Sequence, residues 1–245
     1  MGAFAAAVAL LALNSACTGS GAKLGTTPPE PVSTVSILAG LLQPSGGAVR
    51  FKGSDIQDDL LDYKSNIGYV PEEAVLYTYL TGPEYLLLVG QLRGMSMRTI
   101  DARIDGFLSL FDLKDDRHAP LSAYSKGMRQ KILISAALLH DPPIVILDEP
   151  NSGLDVTTTL VLRSLVQTLA SEGRMIIYSS HVLESVEKVA TDVIILNEGR
   201  VVAHDSISRL RELLELPSLE HVFRQLVIET DIDRMARDLV GVMKL

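Results

Sequence analysis

Residues 144–150, Ile-Val-Ile-Leu-Asp-Glu-Pro, constrain the fold of this chain more than any other stretch. Four branched apolar residues in succession, closed in by Pro143 and Pro150, are too few for a helix. They predict a strand buried on both faces of a parallel sheet, since only such a strand needs no polar face. Asp148 and Glu149 follow at its carboxyl end, the edge of an open α/β sheet where ligands bind. Adjacent acids leaving an apolar strand repel one another and lose hydration, a cost that a cation or a reacting group offsets. A strand that merely ends in polar residues accounts for Asp-Glu alone, but not for the stretches described below.

With 47% hydrophobic residues among 245, the chain can bury one large core or two modest ones. Its formal charge of -8 excludes a broad basic face for nucleic acid. Cys17 is the single cysteine, so there is no disulfide framework, which fits a reducing compartment.

The first 32 residues depart from the pattern of the rest. Gly2 to Leu13 is a small-residue apolar run, followed by Asn14-Ser15-Ala16-Cys17 and a Gly/Ser/Thr/Pro-rich stretch to Pro31. Crossing a bilayer takes about 20 apolar residues, and this run is shorter. It resembles the core of an export signal, yet no Lys or Arg precedes it and Asn14 stands where a lipoprotein signal has an aliphatic residue. The expectation for residues 1–32 is an atypical, unstructured leader.

Regular patterning begins beyond it. Val35 to Leu42 predicts a helix ending near Gln43-Pro44, then a turn at Ser45-Gly46-Gly47 and a short strand over Ala48–Phe51. Ile67 to Val70 predicts another strand, stopped by Pro71. Thr81-Gly82-Pro83-Glu84 is a capping-box start for a helix through Leu92 that Gly94 ends, and a further helix runs from about Thr99 to Phe111. Residues 77–139 are therefore predicted as a mainly helical insert. Within it, Ser125-Lys126-Gly127-Met128 opens a helix whose free N–H groups can seat phosphate; an ordinary N-cap explains that segment equally well when taken alone.

After the acidic strand, Leu162, Leu165, Val166 and Leu169 mark an amphipathic helix ended by Gly173. Met175 to Ser179 is the next buried strand, delivering Ser180-His181 to the same edge as Asp148 and Glu149. Such a histidine is more often a satisfied polar residue, and its location shifts that balance. Val193–Leu196 and Val201–Val202 predict a hairpin across Asn197–Arg200, and residues 216–245 a helical tail. The fold class is α/β: a mostly parallel sheet flanked by helices, with a nested helical subdomain and a small antiparallel element.

In their order, these stretches resemble the nucleotide-binding subunit of an ATP-binding cassette transporter, over roughly residues 33–210 of a nucleotide-binding domain expected to span 33–215. Ile144–Glu149 resembles the Walker B strand and its following glutamate. Ser125–Met128 resembles the family signature, in a Tyr-Ser-Lys-Gly-Met form similar to export cassettes. Ser152-Gly153-Leu154-Asp155 resembles the D-loop, His181 the switch histidine, and Glu72 stands where the family often has the Q-loop glutamine. The resemblance implies an ATPase using ATP and Mg²⁺, with Asp148 as metal ligand and Glu149 and His181 as catalytic residues. It further implies nucleotide contacts from Ser125, Lys126, Gly127, Met128, Asp148, Asp155, Glu72, Ser33 and Thr34. The implied partners are transmembrane permease subunits and a second cassette, in a homo- or heterodimer on the inner face of the cell membrane, with no nucleic acid.

The family's Walker A loop, GxxxxGK[ST], is expected just before the helix at Val35. Gly25-Thr26-Thr27-Pro28-Pro29-Glu30-Pro31-Val32-Ser33-Thr34 stands there instead, without the lysine. A phosphate cradle needs successive N–H donors and glycines at positive φ, whereas proline has no N–H and a fixed φ. Three outcomes stay open at this point: a transporter ATPase subunit, a non-hydrolysing cassette that completes a partner's site, and a non-functional truncated or frameshifted product. The strands that the family places ahead of Walker A also have no counterpart legible in residues 1–30.

Overall fold

The structure, a computed structural model, describes residues 7–13 and 34–227 apart from 74 and 198, together with 240, 242 and 243. The strand that the apolar run predicts lies inside the main sheet. β5 (Ile144–Asp148) lies between β4 (Ile67–Val70) and β6 (Met175–Ser179), parallel to both. Val145 and Leu147 enter one hydrophobic cluster, with Leu86, Ile132, Leu162 and Tyr178. Ile144 and Ile146 enter another, with Val35, Ala39, Ile56 and Tyr63. Alternate residues of β5 thus feed cores on opposite faces of the sheet, and each buried side chain contributes roughly 1.5–3 kcal/mol.

On the far side of β6 the sheet continues through β1 (Ala7–Leu13), which runs parallel to β6 and to β7 (Asp192–Asn197). β8 (Arg200–Ser206) closes the edge, antiparallel to β7, so the order is β4-β5-β6-β1-β7-β8. This corrects the expectation of an unstructured leader over residues 1–32 with no counterpart of the family's early strands: seven of those residues form an interior strand. The apolar run that reads as the core of an export signal pairs on both edges as a strand inside a parallel sheet, where continuous apolar sequence is the rule.

β2 (Arg50–Phe51) and β3 (Ser54–Asp55) form a separate hairpin. Its turn residues Lys52 and Gly53 both have positive φ, the geometry that matches strand twist. Sequence patterning shows one strand here, because a two-residue strand has no periodicity to read.

α1 (Thr34–Leu38) is shorter than the predicted Val35–Leu42 because Gly40, at φ +68°, turns the chain out of the helix. α2 (Leu60–Ser65) follows, capped by Asp59 and not foreseen from the sequence. α3 (Gly82–Leu92) has the predicted capping box, Thr81 and Glu84 each bonding the other's backbone N–H. α4 (Met97–Leu110) starts ahead of Thr99, because Ser96 caps it by accepting the Thr99 N–H. α5 (Lys126–Leu138) packs on β4 so closely that a Cβ on Gly68 would lie 2.2 Å from the Ala137 carbonyl oxygen. α6 (Val156–Ser171) links β5 to β6, and α7 (Leu183–Val189) links β6 to β7. α8 (Ile207–Leu214) and α9 (Leu219–Val227) follow β8.

Candidate functional site

β5 delivers Asp148 to the carboxyl edge of the sheet, and the next residue bends the chain sharply. Glu149 has φ +44°, a left-handed conformation that an L side chain adopts only when its surroundings enforce it. Here the enforcement is visible. The Glu149 N–H still donates to the Ser179 carbonyl at 3.0 Å, continuing the β5–β6 ladder, while its side chain folds over the end of β6. Its Oε1 accepts from the His181 backbone N–H at 2.6 Å and pairs with His181 Nδ1 at 2.7 Å, and its Oε2 accepts from the Ser180 hydroxyl at 3.1 Å. The Glu149 side chain is 15% exposed and that of His181 69%, so the pair has one sheltered and one open end.

Asp148 is the electrostatically unsatisfied member. Burial pushes its carboxyl above the usual range, a bond with the Ser179 side chain works against that, and the charges of Glu72 and Glu149 add to it. Tyr69 on β4 is pushed up to about 12 by burial and by the charge of Asp148, offset in part by a bond with Ser36 of α1. Asp148, Glu72, Tyr69 and Ser36 therefore share one edge. Among the described residues no group of three or more His, Cys, Asp or Glu is placed to hold a metal. The donor set suits a hard cation that keeps water and phosphate as most of its ligands, as Mg²⁺ does, with Asp148 the protein's contribution.

The signature turn is fastened to the loop that leaves Glu149. Ser125 caps α5, its Oγ accepting the Met128 N–H at 3.2 Å. Lys126 Nζ donates to Ser152 Oγ at 2.6 Å, and buried Gln130 donates through Nε2 to the Pro150 carbonyl at 3.2 Å. Gly127 is needed at its position, since a Cβ there would lie 2.6 Å from the Gly153 carbonyl oxygen. The Met128 side chain packs against the core, leaving its backbone at the helix terminus. Asp155 caps α6: its two carboxylate oxygens accept from the Thr158 N–H and hydroxyl, each at 2.8 Å, and these bonds hold its carboxyl below the usual range.

Of the residues singled out from the sequence, Asp148, Glu149 and His181 lie together, with Glu72 close enough for its charge to act on Asp148. Ser125, Lys126 and Gly127 form a second group against residues 152–153. Asp155 is engaged as a cap, Thr34 opens α1 with its side chain exposed, and Ser33 lies outside the described residues. Sequence reasoning overlooked the bond from Ser180 to Glu149, Gln130 and the bond from Asn151 Nδ2 to the Tyr178 hydroxyl at 2.7 Å. For Gln130 a signal existed, an amide standing among the buried apolar positions of α5. Burial and the charge of Glu149 push the Tyr178 hydroxyl up to about 12, opposed by its bond with Asn151.

No helix among the described residues is long and apolar enough to cross a membrane. Residues 33–152 match the family model described as ABC transporter. The chain is 33% identical over 201 residues to the ABC transporter ATP-binding protein NatA of Bacillus subtilis strain 168, covering 82% of each chain. It is 32% identical over 191 residues to YxlF of the same organism, an uncharacterized ABC transporter ATP-binding protein, covering 78% of this chain and 63% of YxlF. A solved structure described as the ATP binding subunit of an ABC transporter superposes with a TM-score of 0.78 at 30% identity, covering 90% of this chain and 88% of that one. With Asp148, Glu149 and His181 at one edge of the parallel sheet, the chain belongs to the family of ABC transporter ATP-binding subunits.

Proposed function

We propose that the chain is the ATP-binding subunit of an exporter, coupling ATP binding and hydrolysis to outward transport through separate transmembrane permease subunits. It works from the cytoplasmic face of the membrane, paired with a second cassette. The observation that carries this reading is the fixed Glu149 carboxylate, clamped by Ser180 and His181 beside the half-buried Asp148.

When bound, Mg²⁺ neutralises charge on the triphosphate. Asp148 is the residue that would hold it, from a half-buried position at the carboxyl edge of the sheet. Glu149 orients the attacking water and takes its proton, while His181, with Nδ1 engaged by Glu149, turns its other nitrogen to the terminal phosphate. Ser125, Lys126 and Gly127 serve the nucleotide held by the facing subunit, where the free N–H groups and dipole of α5 favour phosphate. Glu72 and the helical insert over residues 77–139 relay the nucleotide state to the permease.

The loop ahead of α1 favours a second reading, a cassette that lends its signature turn to a partner without hydrolysing ATP itself. Residues 25–34 hold three prolines and Glu30, and no lysine. Between Leu13, the end of β1, and Thr34, the start of α1, the only cation is Lys23, in Gly19-Ser20-Gly21-Ala22-Lys23-Leu24-Gly25.

Equilibrium ATP binding with and without Mg²⁺ separates the two readings, measured on the natural chain, on Lys23→Ala, and on a version whose residues 25–34 are rebuilt as a Gly-rich, Lys-containing loop. Binding by the natural chain that is lost in Lys23→Ala supports hydrolysis in this chain, with Lys23 as the phosphate cation. Binding only by the rebuilt version supports the partner-assisting reading. In that case Ser125→Arg should lower the partner's ATPase, while Glu149→Gln has little effect.

A further inference from the structure

Resting on the assignment of Glu149 as the base, we propose that Ser180 is its positioning residue, the hydroxyl that holds the second carboxylate oxygen in place. A glutamate side chain rotates about three bonds, and anchoring one oxygen leaves the carboxylate free to pivot about that point. His181 supplies only the first anchor, since its N–H and its Nδ1 both meet Oε1. Ser180 Oγ meets Oε2 at 3.1 Å and is the second.

The direction of the Ser180 hydrogen follows from its other bond. Ser180 Oγ accepts the Val182 backbone N–H at 3.1 Å, so one lone pair is occupied and the single hydroxyl hydrogen is left for the carboxylate. Ser180 is 3% exposed, which keeps water from competing for that hydrogen. The hydroxyl therefore ties together three pieces of the site: the end of β6, the first turn of α7 and the carboxylate that follows β5. With Glu149 at φ +44°, its carboxylate folds over the end of β6 and meets both Ser180 and His181. The loss of one anchor then changes where the carboxylate sits while leaving the sheet intact.

Two experiments on the full chain test this. The first is a double-mutant cycle on stability, with Ser180→Ala and Glu149→Ala made singly and together and unfolded in urea. The Val182 bond is lost in both backgrounds and cancels. Ser180→Ala is expected to lower the urea midpoint in the natural background and to shift it much less when Glu149 is already alanine; equal shifts in the two backgrounds overturn the proposal.

The second experiment is steady-state ATPase with the partner subunits present. Ser180→Ala is expected to lower kcat by about 10–100-fold, the scale of a misplaced catalytic group. KM should stay within about twofold, since uniform binding is not touched, and Ser180→Thr, which keeps the hydroxyl, should recover most of the rate. A raised KM with unchanged kcat, or a threonine variant no better than alanine, overturns the proposal. A natural chain without ATPase activity removes Glu149 from the role of base, and the urea cycle still decides whether Ser180 holds its carboxylate.

Discussion

Glu149 and His181 meet twice at the end of the sheet, one carboxylate oxygen accepting the histidine backbone N–H at 2.6 Å and pairing with the ring Nδ1 at 2.7 Å. A carboxylate so placed is shielded on one side and free to meet a water on the other. Glu149→Gln keeps the shape and loses the base. The expected result is loss of turnover with ATP binding retained, read from ATPase rate and equilibrium binding on the same preparation. An unchanged rate removes Glu149 from that role.

Asp148 makes the opposite kind of prediction, a gain. Burial, Glu72 and Glu149 raise its carboxyl above the value in the unfolded chain. The folded state then binds a proton more readily than the unfolded state, so stability falls as pH rises from the unfolded value near 3.9 through the raised folded value. At neutral pH the ionised group costs stability. Asp148→Asn should therefore raise the midpoint of thermal unfolding at pH 7. The gain should vanish in acid, where Asp148 is protonated in both states. Mg²⁺ with ATP should stabilise the natural chain and not this variant, a difference read by the same thermal scan.

Gly127→Ala sets helix propensity against packing. An alanine inside a helix is worth about 1 kcal/mol over glycine, yet its Cβ would stand 2.6 Å from the Gly153 carbonyl oxygen, a backbone atom that cannot rotate away. The clash outweighs the propensity, and the expected cost is about 1–3 kcal/mol in urea unfolding. Any ATPase in the assembled transporter should fall with it, because the displaced loop is the one that leaves Glu149. A more stable Gly127→Ala would show that residues 150–153 yield easily.

Leu10→Pro tests the interior strand. Leu10 pairs with Ser179 on one side and Ile194 on the other, and proline there removes a ladder donor in the middle of the sheet. Limited proteolysis should cut the variant freely, and its thermal transition should broaden or disappear. A variant as resistant as the natural chain would place the stabilising contacts elsewhere.

The acidic strand, its carboxylates and the hairpin at residues 192–206 were legible because apolar runs and turn residues encode them locally. The helix starts at Thr81 and Ser125 were legible for the same reason, since capping chemistry lies within one turn. β1 was not. Ala7 to Leu13 has the composition of a buried strand, of a signal core and of a leader alike, and only the slot between β6 and β7 decides among them. Ser180 was legible as a residue of that edge, but its bond to Glu149 was not, because the choice of partner for its hydroxyl is made by side-chain geometry across 31 residues of sequence. The proline-rich stretch before Thr34 stands out in sequence as a break with the family's phosphate loop, and it lies outside the described residues apart from Thr34.

Placing Ala7–Leu13 in the middle of the sheet has a consequence for biosynthesis. As the polypeptide leaves the ribosome, Ala7–Leu13 emerges more than 150 residues ahead of its neighbours β6 and β7. Until then an apolar segment with both edges unpaired must be kept from other chains, the circumstance in which nascent proteins depend on chaperones. The long separation between paired residues also makes this a sheet of high contact order, slow to close once synthesis ends.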